Sequence, residues 1–333
     1  MSLQYGFHRT LTLIGIDEYP VPNKLDGCTT DVDIIKSVLE KNGDGTENFD
    51  IEELKNVKSS KVAMGAIESL FALDLDIAIL YFSGHGYVNT TGAEIVFPND
   101  CQNDGYYNGL QMRSIMDVVN QSHAKNKILI FDCCHAGDLG RYRVDIDNSD
   151  LKTGVSIITA CRGNEIAMGR NGAASIFTAA FCMALEGAAA DFSGNITIGS
   201  VYAYIDRFFS ASEQRPVFKT NATEFVPIRH VTPKVAPDAI RQIATLFPKP
   251  FDEFRLDPSY EETNSPDTRV PLVEPHADPN HVKVMETLQE LASIGFVRPV
   301  DEKHMFFAAM KSKSCQLTDL GRYYWILVKK NLI

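Results

Sequence analysis

The sequence lacks several features that would place it in large classes of protein. In its 333 residues no apolar run approaches the roughly 20 residues that a membrane-spanning helix requires. The first residues, Met-Ser-Leu-Gln-Tyr-Gly-Phe-His-Arg, do not have the length or the flanks of a signal peptide. No internal repeat or low-complexity tract is present. We therefore expect a cytoplasmic protein with no membrane partner.

Positive charge is also scarce. The chain has 32 Lys and Arg against 43 Asp and Glu, which gives a formal net charge of −11. An acidic protein is not attracted in general to phosphate backbones or anionic membranes, so we do not expect nucleic acid as a partner. The 44% hydrophobic content is ordinary for a globular protein, and the length suits two domains.

The seven cysteines contain no C-x-x-C pair, which excludes the usual zinc and dithiol redox motifs. An odd number of scattered cysteines fits a reducing compartment better than a disulfide framework. No EF-hand spacing is present either, so we assign no metal ligands. Most of these cysteines are expected to be buried thiols, but Cys134 needs a different interpretation.

Strand and helix signals alternate through the first 230 residues. Apolar strand signals lie at 11–16, 75–82, 127–131 and 155–160, with a weaker one near 51–57, and helical spacing lies near 32–39, 62–73 and 110–121. Thr30 and Asp31 are expected to cap the first helix. Strands that are apolar throughout, alternating with helices, predict an α/β fold with a mostly parallel central sheet and helices on both faces.

The pattern changes after residue 230. Prolines become frequent, which predicts an extended connector without a core of its own. Helical spacing returns from Asp278, and Thr318 is expected to cap the last helix, which together predict a winged-helix-like α+β module. The expected domains are an α/β domain at 1–230, a Pro-rich connector at 231–275 and a winged-helix-like module at 276–333.

Two polar motifs follow the carboxyl ends of predicted strands. One is Ser83-Gly84-His85-Gly86, and the other runs from Asp132 through Cys134 to Gly137. Since ligands bind outside the carboxyl ends of the strands in open α/β sheets, we expect His85 and Cys134 to meet there. A neighbouring histidine can activate a thiol, and the backbone N–H groups of Gly86 and Cys134 could stabilise an oxyanion. Taken alone, either residue would be interpreted as an ordinary loop residue.

The full set of motifs resembles the caspase-like cysteine peptidases, most closely the metacaspases, over about residues 9–228. The matching segments are Leu13-Ile14-Gly15-Ile16 with Tyr19, Gly27-Cys28-Thr29-Thr30-Asp31-Val32, Tyr81-Phe82-Ser83-Gly84-His85-Gly86, Phe131-Asp132-Cys133-Cys134-His135-Ala136-Gly137, Phe177-Thr178 and Gln214-Arg215-Pro216. The resemblance implies a caspase–hemoglobinase sandwich, with His85 as the base and Cys134 as the nucleophile. Cys133 competes for the second role, but its side chain is expected to point away from Cys134.

Two positions depart from the family pattern, and neither has a role in the reaction. The usual Ser after the Cys-His pair is Ala136, and the usual Asn before Asp31 is Thr30. Activity is therefore still expected.

The resemblance also implies a specificity. Caspases proper hold aspartate with arginines, whereas metacaspases hold arginine or lysine with carboxylates. The positions that match the metacaspase pocket are Asp31 and Asp132, with Ser83 nearby, and paired carboxylates suit a guanidinium group. The alternative is that Asp31 caps its helix and Asp132 caps the loop after its strand. The expected partner is a protein substrate with Arg or Lys at P1.

Residues 138–154 occupy the region that links the large and small subunits in the family. Arg141, Arg143 and Lys152 are candidate sites of self-cleavage, although basic residues are also common in exposed loops. The acidic residues of this segment make Ca²⁺ a candidate activator, since some metacaspases are calcium-activated. No cofactor is expected to be required.

The module at 276–333 is close to neutral in charge, which favours a regulatory protein partner over DNA. Prokaryotic relatives with such modules act in stress or defence pathways, and a latent, signal-activated enzyme is expected by that resemblance. Three alternatives remain open: a catalytically silent scaffold, a winged-helix DNA-binding regulator, and an aspartate-specific caspase.

Overall fold

The computed structural model describes residues 8–20, 23–89, 92–101, 109–133, 151–160, 173–210, 214–266 and 272–333. The chain divides into two compact units, Met1–Ala190 with Gly194–Thr232 and Asp191–Ser193 with Pro233–Ile333. Among the described residues, no helix combines the length and apolarity needed to cross a membrane.

The first unit alternates strands and helices, as its apolar periodicity predicts. The strands are β1 (Arg9–Gly15), β2 (Asp50–Lys55), β3 (Ile77–Ser83), β4 (Gly86–Asn89), β5 (Gly92–Ile95), β6 (Leu110–Gln111), β7 (Asn126–Asp132), β8 (Val155–Thr159), β9 (Asn195–Thr197), β10 (Val217–Thr220) and β11 (Pro227–His230). The helices are α1 (Cys28–Leu39), α2 (Ser60–Ala72), α3 (Met112–Gln121), α4 (Ile176–Met183) and α5 (Ile198–Phe208).

A six-stranded sheet forms the centre of this unit, in the order β10-β8-β7-β3-β1-β2. All neighbouring pairs from β8 to β2 are parallel, and β10 is antiparallel at one edge. Every residue of β3 is buried. A strand covered on both faces must be apolar throughout, which explains the continuous apolar runs in the sequence. The prediction of a mostly parallel central sheet is confirmed.

Helices cover both faces of the sheet. Because successive side chains of a strand point to opposite faces, Ile79 and Tyr81 pack with residues of α1, α4 and α5, whereas Leu80 and Phe82 pack with residues of α2 and α3. Two small antiparallel sheets, β4-β5-β6 and β9-β11, complete the unit. The predicted α/β sandwich is therefore present.

Helix α1 begins earlier than predicted. Its N-cap is Gly27, whose φ of 123° suits glycine. The carboxylate of Asp17 accepts hydrogen bonds from the N–H groups of Cys28 at 2.8 Å and Thr29 at 3.0 Å. The expectation that Thr30 and Asp31 cap this helix is wrong, because the capping carboxylate comes from a loop upstream and both residues lie inside the first turn.

The second unit has its own sheet and core. Its elements are α6 (Pro237–Arg241), α7 (Ile243–Leu246), β12 (Glu253–Arg255), α8 (Pro279–Ser293), β13 (Val297–Pro299), α9 (Met305–Met310), β14 (Ser314–Leu317) and α10 (Asp319–Lys329). The strands form an antiparallel sheet in the order β12-β14-β13. Thr318 caps α10, as predicted. Asp278, where the sequence predicts that helical spacing returns, is the N-cap of α8. The winged-helix assignment stays a prediction.

In place of the extended connector expected over 231–275, the structure has two short helices and a strand. Ile240, Ile243 and Phe247 are buried in the same core as Leu288 of α8. Their helical spacing is easily overlooked among so many prolines. Pro237 occupies the first turn of α6, where a missing N–H costs no hydrogen bond.

Candidate active site

The carboxyl ends of β3 and β7 place Ser83 and Asp132 side by side. The strands are parallel neighbours, and Ser83 pairs with Asp132 in their register. On the other side Ser83 pairs with Gly15, the last residue of β1. A Cβ on Gly15 would lie 2.5 Å from the carbonyl oxygen of Cys28. Glycine is therefore needed where α1 meets the sheet, and this close approach carries Asp31 to the same strand ends.

Asp31, Ser83 and Asp132 belong to one hydrogen-bond network that also includes the start of α4. Asp31 is only 2% exposed. Its Oδ2 accepts the Ser83 hydroxyl at 2.8 Å, and its Oδ1 accepts the backbone N–H of Ser175 at 2.8 Å. The hydroxyl of Ser175 donates to Oδ2 of Asp132, which also accepts the hydroxyl of Thr178 at 2.9 Å. The three residues predicted for the P1 site thus lie together.

Burial changes the proton affinity of both carboxylates. It raises the pKa of Asp31 to about 7, with repulsion from Asp132 as the second cause and hydrogen bonds from Ser175 and Ser83 opposing both. Burial also raises the pKa of Asp132 to about 6, against the hydrogen bonds from Ser175 and Thr178. A positive charge between the carboxylates would lower both pKa values. The pair can therefore bind a cation and release a proton near neutral pH.

The loop that carries His85 is held by Tyr19. The Tyr19 hydroxyl donates to the carbonyl oxygen of Val96 at 2.9 Å and accepts the backbone N–H of His85 at 2.9 Å. The two rings meet edge to face, with their centroids 4.5 Å apart. A Cβ on Gly84 would lie 2.6 Å from the Tyr19 hydroxyl oxygen, so only glycine allows this contact.

The ring of His85 has one nitrogen committed to a main-chain acceptor. Nε2 lies 2.7 Å from the carbonyl oxygen of Asn23. A carbonyl oxygen can only accept, so Nε2 carries the proton and Nδ1 of the neutral ring is the basic nitrogen. Burial lowers the pKa of His85, although the hydrogen bond to Asn23 opposes the shift. The imidazole is therefore neutral at neutral pH and able to accept a proton at Nδ1.

Comparison with known proteins identifies the family. A family model described as "Caspase domain" matches residues 8–226. This chain belongs to the caspase-domain family. Among solved structures it is similar to caspase-1 from Spodoptera frugiperda, with 13% sequence identity and a TM-score of 0.49 over 68% of this chain and 91% of that chain. No curated protein matches the chain.

As a member of the caspase-domain family, the protein is a cysteine-type peptidase that acts on protein substrates. The caspase-like fold predicted from the motifs is confirmed. The region matched by the family model includes β1, β3, β7 and α4, and therefore all of the polar network described above.

Several residues predicted for the caspase-domain site lie outside the described residues, namely Cys134, Arg141 and Arg143. Of the predicted dyad the structure describes His85 alone. Gly86 begins β4 and pairs with Ile95. Cys133 is buried in the apolar cluster that includes α2 and α3. Lys152 is exposed just before β8, and its backbone N–H donates to the side chain of Asn120 at 3.2 Å.

Sequence reasoning assigns no role to Tyr19, Asn23, Ser175 or Thr178. Tyr19 and Thr178 match family anchors but carry no obvious chemistry. Ser175 directly precedes an apolar helical segment, and serine is a favoured N-cap residue, so this position could have been identified as the cap of α4. The carbonyl of Asn23 leaves no such signal, because every residue has one.

Proposed function

We propose that this peptidase cleaves proteins after arginine or lysine, with His85 and Cys134 as its catalytic dyad. The observation that carries the specificity is the bridge through Ser175, which joins the carboxylates of Asp31 and Asp132. Two buried carboxylates suit a guanidinium or ammonium group through charge-assisted hydrogen bonds, with the Ser83 hydroxyl beside them. An aspartate at P1 would add a third negative charge to the same place, which disfavours the aspartate-specific alternative.

The proposed reaction begins when Nδ1 of His85 takes the thiol proton of Cys134. The thiolate attacks the carbonyl carbon of the scissile bond, and the backbone N–H groups of Gly86 and Cys134 stabilise the oxyanion. The imidazolium then gives its proton to the departing amine, which leaves an acyl-enzyme. Water then attacks the thioester with His85 again as the base. The carboxylic acid product is released and the Cys134 thiol is regenerated.

We further propose that the enzyme is of the metacaspase type and is latent until a signal or partner activates it, in a cytoplasmic stress or defence pathway such as antiviral defence. Self-cleavage at Arg141, Arg143 or Lys152 would be one route, and the exposure of Lys152 is compatible with it. Ca²⁺ is a candidate activator. Within the described ranges no group of three or more His, Cys, Asp and Glu side chains could hold a metal ion.

The proposed role of residues 276–333 is to bind a regulatory protein through a winged-helix-like module. Leu320, Tyr323 and Ile326 recur every three residues along α10 and are exposed. Tyr324 stacks on Phe296 inside the unit. An exposed apolar row supports protein binding better than DNA binding, which needs basic side chains.

The deciding experiment compares cleavage of fluorogenic peptides with Arg, Lys or Asp at P1, with and without Ca²⁺. Wild type is compared with Cys134→Ala and with Cys133→Ala, which removes the neighbouring thiol. We expect turnover after Arg and Lys that vanishes in Cys134→Ala and persists in Cys133→Ala.

Other outcomes separate the alternatives. Turnover after Asp would overturn the roles of Asp31 and Asp132, and loss only in Cys133→Ala would overturn the choice of nucleophile. Silence on all peptides, with Cys134 still reactive towards an arginyl chloromethyl ketone, would indicate a latent enzyme. Silence in both assays would favour the scaffold.

A further inference from the structure

Ser175 contacts both carboxylates of the proposed P1 site. Its backbone N–H donates to Oδ1 of Asp31 at 2.8 Å, and its hydroxyl donates to Oδ2 of Asp132. The hydroxyl oxygen also accepts the backbone N–H of Thr178 at 2.9 Å, as the N-cap of α4. The donor and acceptor functions of this side chain are thus both used at the junction between the acid pair and the helix.

A chain of hydroxyl groups extends this junction into the core. Thr178 donates its single hydroxyl proton to Asp132, so the Tyr81 hydroxyl, 2.7 Å from Oγ1 of Thr178, must donate to Thr178. Tyr81 and Thr178 are fully buried, and burial keeps the pKa of Tyr81 well above its usual value. The hydroxyls of Ser175 and Thr178 are therefore both held in place as donors to Oδ2 of Asp132. The orientation of this carboxylate is set before any ligand binds.

We propose that Ser175 is a positioning residue for the P1 site. It holds the carboxylates of Asp31 and Asp132 in a fixed relative orientation, so that one cationic side chain can contact both. The inference rests on the proposed preference for Arg or Lys. Without the hydroxyl of Ser175, Asp132 keeps the donor from Thr178, and Asp31 keeps the Ser83 hydroxyl and the backbone N–H of residue 175. The two carboxylates then lose the Ser175 bridge that couples their orientations.

The test compares Ser175→Ala with Ser175→Thr, which keeps a hydroxyl at the N-cap. Ser59→Ala is the matched control, because Ser59 caps α2 through its side chain without contacting a carboxylate. For peptides with Arg or Lys at P1, we expect Ser175→Ala to raise KM about tenfold, as the loss of one charge-assisted hydrogen bond would. We expect kcat to stay within about twofold. Ser175→Thr and Ser59→Ala should keep the wild-type KM.

The pH profile gives a second readout that a purely structural role would not change. A carboxylate that loses a donor has a higher pKa, so the acid limb of kcat/KM should move to higher pH in Ser175→Ala. The other titratable groups of the described residues that interact with the pair are Asp17, Cys28, Tyr81 and Cys182, and all are unchanged in the variant. Should the alanine variant fail to fold, Ser175→Gly also lacks the hydroxyl but keeps a favourable N-cap residue.

Two results would overturn the inference in distinguishable ways. If wild type prefers Arg and Lys but Ser175→Ala lowers only the melting temperature and the titrated concentration of active sites, with KM and the acid limb unchanged, the positioning role is wrong. If wild type shows no preference for Arg or Lys over Asp, the proposed specificity itself is wrong and the role of Ser175 falls with it.

Discussion

His85 and the acid pair lie near the carboxyl ends of the same sheet, but they are held by different kinds of group. The ring of His85 is bound to a main-chain carbonyl, that of Asn23, whereas Asp31 and Asp132 are bound largely by the hydroxyls of Ser83, Ser175 and Thr178. A carbonyl is present whatever the side chain, but one substitution removes a hydroxyl. The ring of the proposed base is therefore held by the main chain, with the Tyr19 hydroxyl holding its loop, whereas the proposed specificity site depends on side-chain hydroxyls at both carboxylates.

The largest effect is expected at the acid pair itself. Asp132→Asn should lower kcat/KM for an Arg peptide by about 100-fold or more, because removing one partner of a buried ion pair costs about 3–5 kcal/mol. Initial rates at low substrate concentration measure it. Asp238→Asn, which removes an exposed carboxylate of α6, is the control.

The same variant should not lose stability at pH 8. A carboxyl group whose pKa is raised by folding destabilises the native state above its unfolded pKa, and the asparagine removes that cost. We expect a melting temperature equal to or above that of wild type. A marked fall in melting temperature would show that Asp132 stabilises the fold, and would weaken the contrast between the acid pair and His85.

The pH dependence of activity should next distinguish the acid pair from His85. The acid pair must be ionised to hold a cation, so kcat/KM for an Arg peptide should rise from pH 5 to pH 8. Because two protons must be lost, the fall should steepen from about tenfold per pH unit just below pH 7 towards about 100-fold per pH unit below pH 6. Burial also lowers the pKa of His85, so its ring is in the neutral, basic form at neutral pH. Alkylation of Cys134 by iodoacetamide does not use the acid pair, and an identical acid limb in that reaction would refute this assignment.

Tyr19→Phe tests the hydrogen bonds that hold the loop of His85. The variant loses the hydroxyl that joins His85 to Val96 but keeps the aromatic ring. We expect kcat to fall about tenfold, since one hydrogen bond that fixes the loop is lost, with KM within about twofold. Tyr323→Phe removes an exposed hydroxyl as a control. A change confined to KM would contradict a role in holding His85.

The smallest effect concerns the close approach that brings Asp31 to the strand ends. Gly15→Ala should lower the free energy of unfolding by about 1–3 kcal/mol, because its Cβ would clash with the carbonyl oxygen of Cys28. Gly65→Ala in α2 meets no atom within 4 Å and should raise it by about 0.5–1 kcal/mol. Urea unfolding measures both. Equal changes in the two variants would show that α1 can shift without cost.

Most of the first unit could be predicted from sequence, because strands buried on both faces are apolar throughout and their ends carry the polar motifs. The start of α1 could not, since its capping group, Asp17, is eleven residues before Cys28. The contacts of Ser175 could not either: they join positions 144 and 43 residues apart, which no local pattern records. Helices α6 and α7 could not be predicted for a third reason: prolines at helix starts resemble those of a linker.

The strand order has a consequence for how the chain folds during synthesis. In the sheet β10-β8-β7-β3-β1-β2, every strand after β1 is added beside one that precedes it in the chain. Proteins emerge N-terminus first, so the sheet can grow one strand at a time without waiting for a later partner. Asp31, Ser83 and Asp132 all emerge well before Ser175, and a ribosome-bound chain that ends before α4 has the acids but lacks the donor that joins them.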